Sequence, residues 1–242
     1  MSAPARTATA RGLGAPAAVL ATLLCLGAAC CLVLCVSERP LTTPPSRKNV
    51  ERRAALAIRD LVPPFQQWGT RAFTLPNLEA AYADVEYLTV TGPSAGHSDD
   101  FVHRLERLAA THETIDLFLL AHSNTFVEWV ARVAPEVRRK LRLVYNTGCF
   151  DVRQKERWLE LGARSYVGHV GLSESPIFYV YFLRRWLRGE PLGAVVATCN
   201  RLTENVMNPR VAFLQFNERA TAESTHAELG GDEAITIDGE GR

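Results

Sequence analysis

Two short apolar runs restrict this chain more than anything else in it. Ile115-Asp-Leu-Phe-Leu-Leu-Ala121 and Leu141-Arg-Leu-Val-Tyr-Asn146 are almost continuously hydrophobic, yet each is too short for a free-standing helix. Runs of that length and type form strands buried on both faces. Val85-Glu-Tyr-Leu-Thr-Val90 and Ala163-Arg-Ser-Tyr-Val-Gly168 supply two more, rich in β-branched and aromatic residues.

Helical patterns separate them. Ser98 is placed to cap a helix whose apolar face is Phe101, Leu105 and Leu108, with Asp99 and Asp100 in its first turn. Thr125-Phe-Val-Glu128 fits a capping box opening a helix along Phe126, Trp129 and Val130, which Pro135 ends or bends. Asp151 with Gln154 opens the next helix and Gly162 closes it. Ser175-Pro176 begins a long helix ended by Gly189, and Pro191 begins a short one over Leu192–Cys199. Strands alternating with helices predict an α/β fold with a mostly parallel sheet covered on both faces. After these, the tail is polar apart from Val211–Phe216 and a possible strand over Ala234–Ile237.

In such sheets ligands gather at the carboxyl ends of the strands. His122 follows the first apolar run directly, and Cys149 follows the second through Thr147-Gly148. If the strands are neighbours, their backbones lie about 5 Å apart and the two side chains can meet. An imidazole beside a thiol can generate the thiolate and later protonate a leaving group, and the turn at Gly148 can offer N–H groups to an oxyanion. The plain alternatives are a buried inert thiol and a polar strand end.

The N-terminal part is of another kind. Arg6 and Arg11 precede an uncharged run from Leu13 to Val36, long enough to cross a bilayer as a helix. It predicts a retained anchor, with a cleaved signal peptide as the alternative, including a lipoprotein form at Gly27-Ala-Ala-Cys30. Four of the six cysteines (Cys25, Cys30, Cys31 and Cys35) lie in this run, as acylation sites or as small apolar residues. Only Cys149 and Cys199 fall outside it, so no disulfide framework is implied. The organisation expected is a basic segment over 1–12, a transmembrane anchor or signal over 13–36, a linker and lead-in helix over 37–77, and the α/β domain over 78–242. The lead-in helix is placed over Val50–Leu61, capped by Asn49 and stopped by Pro63-Pro64. The globular part is expected outside the cytoplasm. A formal charge of +1 gives no reason to expect nucleic acid, and no metal-ligand set, phosphate loop or dinucleotide fingerprint appears.

The run from about Val85 to Asn200 resembles the caspase-like cysteine peptidase superfamily, which includes gingipains, separase, metacaspases and bacterial CHAT domains. The residues that carry the resemblance are Ile115–His122, Leu143-Val-Tyr-Asn-Thr-Gly-Cys149, Leu161-Gly-Ala-Arg-Ser-Tyr-Val-Gly168 and Phe182–Leu192 with its Gly-Glu-Pro-Leu turn. It implies a three-layer caspase-like sandwich, and a cysteine endopeptidase acting on protein or peptide with no cofactor. Cys149 would be the nucleophile and His122 the general acid/base, with Ser123 and Cys149 amides at the oxyanion site. The chain departs from the family pattern in two places: Ser123-Asn124 stands where glycine usually follows the histidine, and Phe150 where a small or polar residue follows the cysteine. Two further functions fit the same residues: a catalytically inactive protein-binding module, and a hydrolase or acyltransferase acting on a non-peptide carbonyl.

Other residues carry alternatives of their own. Asp151 is read as a helix N-cap, or as the acceptor for a basic substrate side chain. His169 is a loop histidine or part of the same rim. Gly171-Leu-Ser-Glu-Ser175 resembles a nucleophile elbow without its final glycine, which leaves Ser175 as a cap. Cys199 is expected in the core, and Ile177–Leu183 is apolar all round.

Overall fold

The computed structural model describes residues 19–27, 44–60, 64–90, 95–122, 125–173, 181–206 and 222–239. The chain divides into two compact units, Met1–Thr43 and Pro44–Arg242. In the first, residues 19–27 are helical with exposed leucines. Most of the expected span Leu13–Val36 lies outside the described residues, and among the described residues no helix is long and apolar enough to cross a membrane.

The second unit is built on a six-stranded sheet in the order β2-β1-β3-β4-β5-β6. The strands are β1 (Arg53–Asp60), β2 (Asp84–Val90), β3 (Thr114–Leu120), β4 (Leu141–Asn146), β5 (Ser165–His169) and β6 (Ala227–Gly231). The first five are mutually parallel, and β6 runs antiparallel along the edge of β5. The α/β class and the mostly parallel sheet match the sequence expectation.

The largest difference lies at β1. Val50–Leu61 was expected to be a helix before the domain. Instead Asn49 is left-handed with no side-chain cap, Val50–Arg52 form one 3-10 turn, and Arg53–Asp60 are a strand. Arg-Ala-Ala-Leu-Ala-Ile-Arg-Asp contains good helix formers, but all eight residues are buried between β2 and β3. Packing on both faces outweighs a local preference worth only tenths of a kcal/mol, about 0.7 at most, per residue. The compact unit therefore begins near Pro44, well before residue 78.

Helices cover both faces. On one side lie α3 (Ala95–Thr111), α4 (Phe126–Ala131) and α6 (Lys155–Glu160). Phe101, Leu105, Val130 and Trp158 of these helices pack against Ala54, Leu56, Ile58, Leu117 and Leu119 of the sheet. Of the others, α1 (Pro64–Phe73) and α2 (Leu75–Ala81) precede β2 and α5 (Pro135–Arg138) precedes β4, while α7 (Leu183–Trp186), α8 (Leu192–Val206) and α9 (Ala222–Thr225) follow β5. On the opposite face Tyr82 meets Phe118 edge-on at 6.3 Å between centroids, and Phe182 lies 4.1 Å from Tyr145. A buried polar cluster sits there too. Asp116 receives both forks of Arg142 at 2.7 and 3.0 Å, the Tyr82 hydroxyl, and the Trp186 indole N–H at 3.2 Å.

Several caps differ from expectation. Ser98 lies inside α3 and accepts a hydrogen bond from Arg132 instead of capping. Thr125 makes no side-chain cap bond, and Pro135 opens α5 as its first residue. The short helix expected over Leu192–Cys199 continues to Val206. Ala234–Ile237 is not a strand: Ile235 and Ile237 are buried in a turn with one bridge, Thr236 to Gly239. The sixth strand is instead Ala-Glu-Leu-Gly-Gly, an edge segment too short and too glycine-rich to announce itself. Gly162 and Gly189 end their helices in positive φ as expected. Ser175-Pro176 lies outside the described residues.

Candidate functional site

The connection leaving β1 runs to β2 on one side, and the connection leaving β3 runs to β4 on the other. That reversal opens a crevice at the carboxyl ends of β1 and β3, the usual ligand position in an open parallel sheet. Asp60 ends β1 and His122 follows β3 at this crevice. The Asp60 carboxylate accepts a 2.7 Å hydrogen bond from the main-chain N–H of His122. Asp60 is buried, whereas the His122 side chain is exposed.

Cys149 follows the adjacent strand β4. Leu119 of β3 and Asn146 of β4 are register partners, so His122 and Cys149 each stand three residues beyond one paired position. Thr147 extends the pairing by donating its N–H to the Leu119 carbonyl at 2.9 Å. Asn146 then turns the chain, its Oδ1 accepting the Gly148 N–H at 3.0 Å. Asn146 through Gly148 are buried, Cys149 is half-buried and carries a thiol, and Phe150 is exposed.

Phe150 does not seal the cysteine. It is 45% exposed, its ring lies 5.6 Å from the Arg153 guanidinium, and its N–H donates to the Gly171 carbonyl at 2.9 Å. Its φ of 61° is a left-handed conformation rare for a bulky residue.

The other expected site residues fall differently. The Gly148 N–H is committed to Asn146, so Gly148 shapes the turn and does not present its amide to a substrate. Ser123 lies outside the described residues. Asp151 is neither a cap nor a rim carboxylate. It is the first residue of a 3-10 turn, fully buried, and accepts the His169 N–H at 2.5 Å. Burial pushes its carboxyl well above the usual carboxylate range, against main-chain hydrogen bonds from His169, from its own N–H and from Gly148 that act to lower it. Asp151 thus ties the cysteine turn to the end of β5. Nothing larger than glycine fits beside it at 168, where a Cβ would come within 2.9 Å of Asp151 Oδ1 and 2.7 Å of the Tyr166 ring.

His169 is the last residue of β5 and is buried. Its Nδ1 lies 2.7 Å from the Thr225 carbonyl and so carries the proton, while Nε2 faces the Tyr145 hydroxyl at 3.1 Å. Burial lowers its pKa to about 4, partly opposed by the hydrogen bond to Thr225. It is a neutral core histidine. Cys199 is buried, as expected.

Two residues that shape the site were not singled out from the sequence. Asp60 was hidden by the helical reading of β1. Asn146 had a legible signal, an asparagine two residues before a glycine at a strand end. Among the described residues no group of three or more His, Cys, Asp or Glu side chains could hold a metal ion. Comparison with known proteins finds no family model, no curated protein and no solved structure that matches this chain.

Proposed function

We propose that the chain is a cysteine endopeptidase of caspase-like fold, tethered to a membrane through the apolar run Leu13–Val36, with its globular unit on the extracytoplasmic side. Cys149 attacks the scissile carbonyl as the thiolate, forming an acyl-enzyme. His122 takes the thiol proton and returns it to the departing amine, and water then releases the acyl group. The observation that supports this reading is the matched strand register of the two residues. Each lies three residues beyond the Leu119–Asn146 register pair, past the carboxyl ends of adjacent strands. The exposed His122 and half-buried Cys149 suit a site that a substrate must reach.

The competing reading is a binding module of the same fold without turnover. The commitment of the Gly148 N–H to Asn146 favours it, since one backbone donor near the cysteine is already used. The same dyad acting on a non-peptide carbonyl would use the same first step.

Alkylation separates them. The full chain is treated with iodoacetamide and the rate at Cys149 is followed by peptide mapping. The dyad requires labelling faster than an ordinary thiol of pKa about 8.5, and a slower rate in His122→Ala. Labelling of Cys149 at the ordinary rate, unchanged in His122→Ala, would leave the binding module standing.

A further inference from the structure

The opposite edge of the same sheet holds a second concave site. A cavity of about 460 Å³ lies at the amino ends of β1, β3, β4 and β5, lined by Arg53, Thr114, Leu141 and Arg164 among others. That volume is within the range of small-molecule sites, about 300–1,000 Å³. The length of β3, seven residues, puts about 20 Å of strand between this cavity and His122.

Its charge is one-sided. Arg52, Arg53, Arg139, Lys140, Arg142 and Arg164 line it, against the carboxylates of Glu113 and Asp238. Asp116 pairs with Arg142 and Asp232 with Arg164 from outside the lining. Even with these included, six cations face four carboxylates.

The cations divide into two kinds. Arg53 and Arg142 are buried and locked. Arg53 donates to the carbonyls of Ser46, Lys48, Ala81 and Ile237 as well as to Asp238, and Arg142 donates to the Ile237 carbonyl as well as to Asp116. Asp238 and Asp116 balance the charges of these two guanidinium groups and the carbonyls hold them in place, which gives a rigid polar floor beneath the rim cations. Lys140 is held in the same way by the carbonyls of Ala109 and His112. Arg52, Arg139 and Arg164 are exposed at the rim. Arg52 is tied to Glu113, but both side chains are more than half exposed, so that pair is weak and an incoming anion can displace it. With the other four cations each facing a carboxylate, Arg139 and Lys140 carry the excess positive charge, and planar guanidinium forks at such a rim suit phosphoryl oxygens better than a single carboxylate.

We propose that this cavity is a binding site for a small polyphosphate anion, separate from the cysteine site and independent of whether that site is catalytic. The same chemistry is offered by a free polyphosphate and by a phosphate-bearing lipid headgroup.

The test is calorimetric titration of the full chain with inorganic tripolyphosphate and, in parallel, with a water-soluble short-chain phosphatidic acid, at matched ionic strength. Saturable binding of one or both is expected. The tighter of the two identifies the source. The double variant Arg52→Gln/Arg139→Gln removes two rim guanidinium groups without touching the buried pairs. Each loss is expected to weaken binding by about tenfold, with the unliganded melting temperature unchanged. Absence of binding to both probes, or equal binding by the double variant, overturns the proposal. A response that sodium sulfate reproduces at the same ionic strength overturns it as well.

Discussion

The Asp60 carboxylate and the main-chain N–H of His122 are joined by a 2.7 Å hydrogen bond across the crevice between β1 and β3. The bond fixes the backbone from which the imidazole projects, using a buried group on the neighbouring strand. Asp60→Ala is therefore expected to leave that N–H without its acceptor and to cost about 1–3 kcal/mol of stability. It should also slow iodoacetamide labelling of Cys149 toward the rate in His122→Ala. Asp60→Asn keeps an acceptor oxygen at that place and should restore most of the labelling rate. A labelling rate untouched by Asp60→Ala, measured on folded protein, would show that the bond has no part in placing His122.

Gly168 faces two groups that cannot retreat. Tyr166 is buried and stacked on Trp158 at 6.0 Å, and Asp151 is held by the His169 N–H. Gly168→Ala would put a Cβ 2.7 Å from the Tyr166 ring and 2.9 Å from the Asp151 carboxylate. Overpacking of that kind costs about 1–3 kcal/mol. Urea denaturation should show the loss. Because Asp151 begins the turn just after Cys149, labelling of the cysteine should change with it.

His169 makes stability depend on pH. Burial lowers its pKa from 6.5 to about 4, so between those values the unfolded chain binds the proton and the folded chain does not. Stability contributed by the neutral imidazole is complete above the unfolded value and is lost as pH falls toward about 4, up to about 3 kcal/mol. Asp151 acts with the opposite sign: its raised pKa favours the folded state at low pH and withdraws that support as pH rises past the ordinary carboxylate value of about 4. Comparing the wild type with His169→Gln isolates the histidine. Chemical denaturation at a series of pH values should show a fall below about pH 6.5 in the wild type that is smaller in the variant.

Phe150 holds a left-handed backbone while leaving 45% of its surface exposed. Removing a buried phenylalanine side chain costs about 3–5 kcal/mol. Phe150→Gly should instead change stability by about 1 kcal/mol or less, because relief of the positive φ offsets the entropy that glycine brings to the unfolded chain. The midpoint and slope of urea unfolding measure this directly. A large loss would mean that the Phe150 ring is structural, and that its contact with Arg153 matters more than its exposure suggests.

The strands that carry the candidate site were legible because each is buried on both faces. Ile115–Ala121 and Leu141–Asn146 could hardly be anything else, and a parallel sheet places their ends together. The strand Arg53–Asp60 was not legible, because alanine, leucine and arginine favour a helix locally and nothing nearby opposes it. The role of Asp151 was missed for a related reason. An aspartate ahead of a helical pattern looks like a cap, and only the approach of β5 shows that the carboxyl is buried beneath the cysteine turn.

By itself the sequence determined the α/β class, the parallel strands and the two strand ends where His122 and Cys149 stand. These follow from short-range patterns of hydrophobicity, which any fold of the chain must bury. Only the tertiary structure decided that β1 is an inner strand between β2 and β3, that Asp60 holds the backbone of His122, and that six cationic side chains converge at the far edge. Each of those depends on segments far apart in the chain being packed together, and no local pattern records which distant group a buried polar atom will meet.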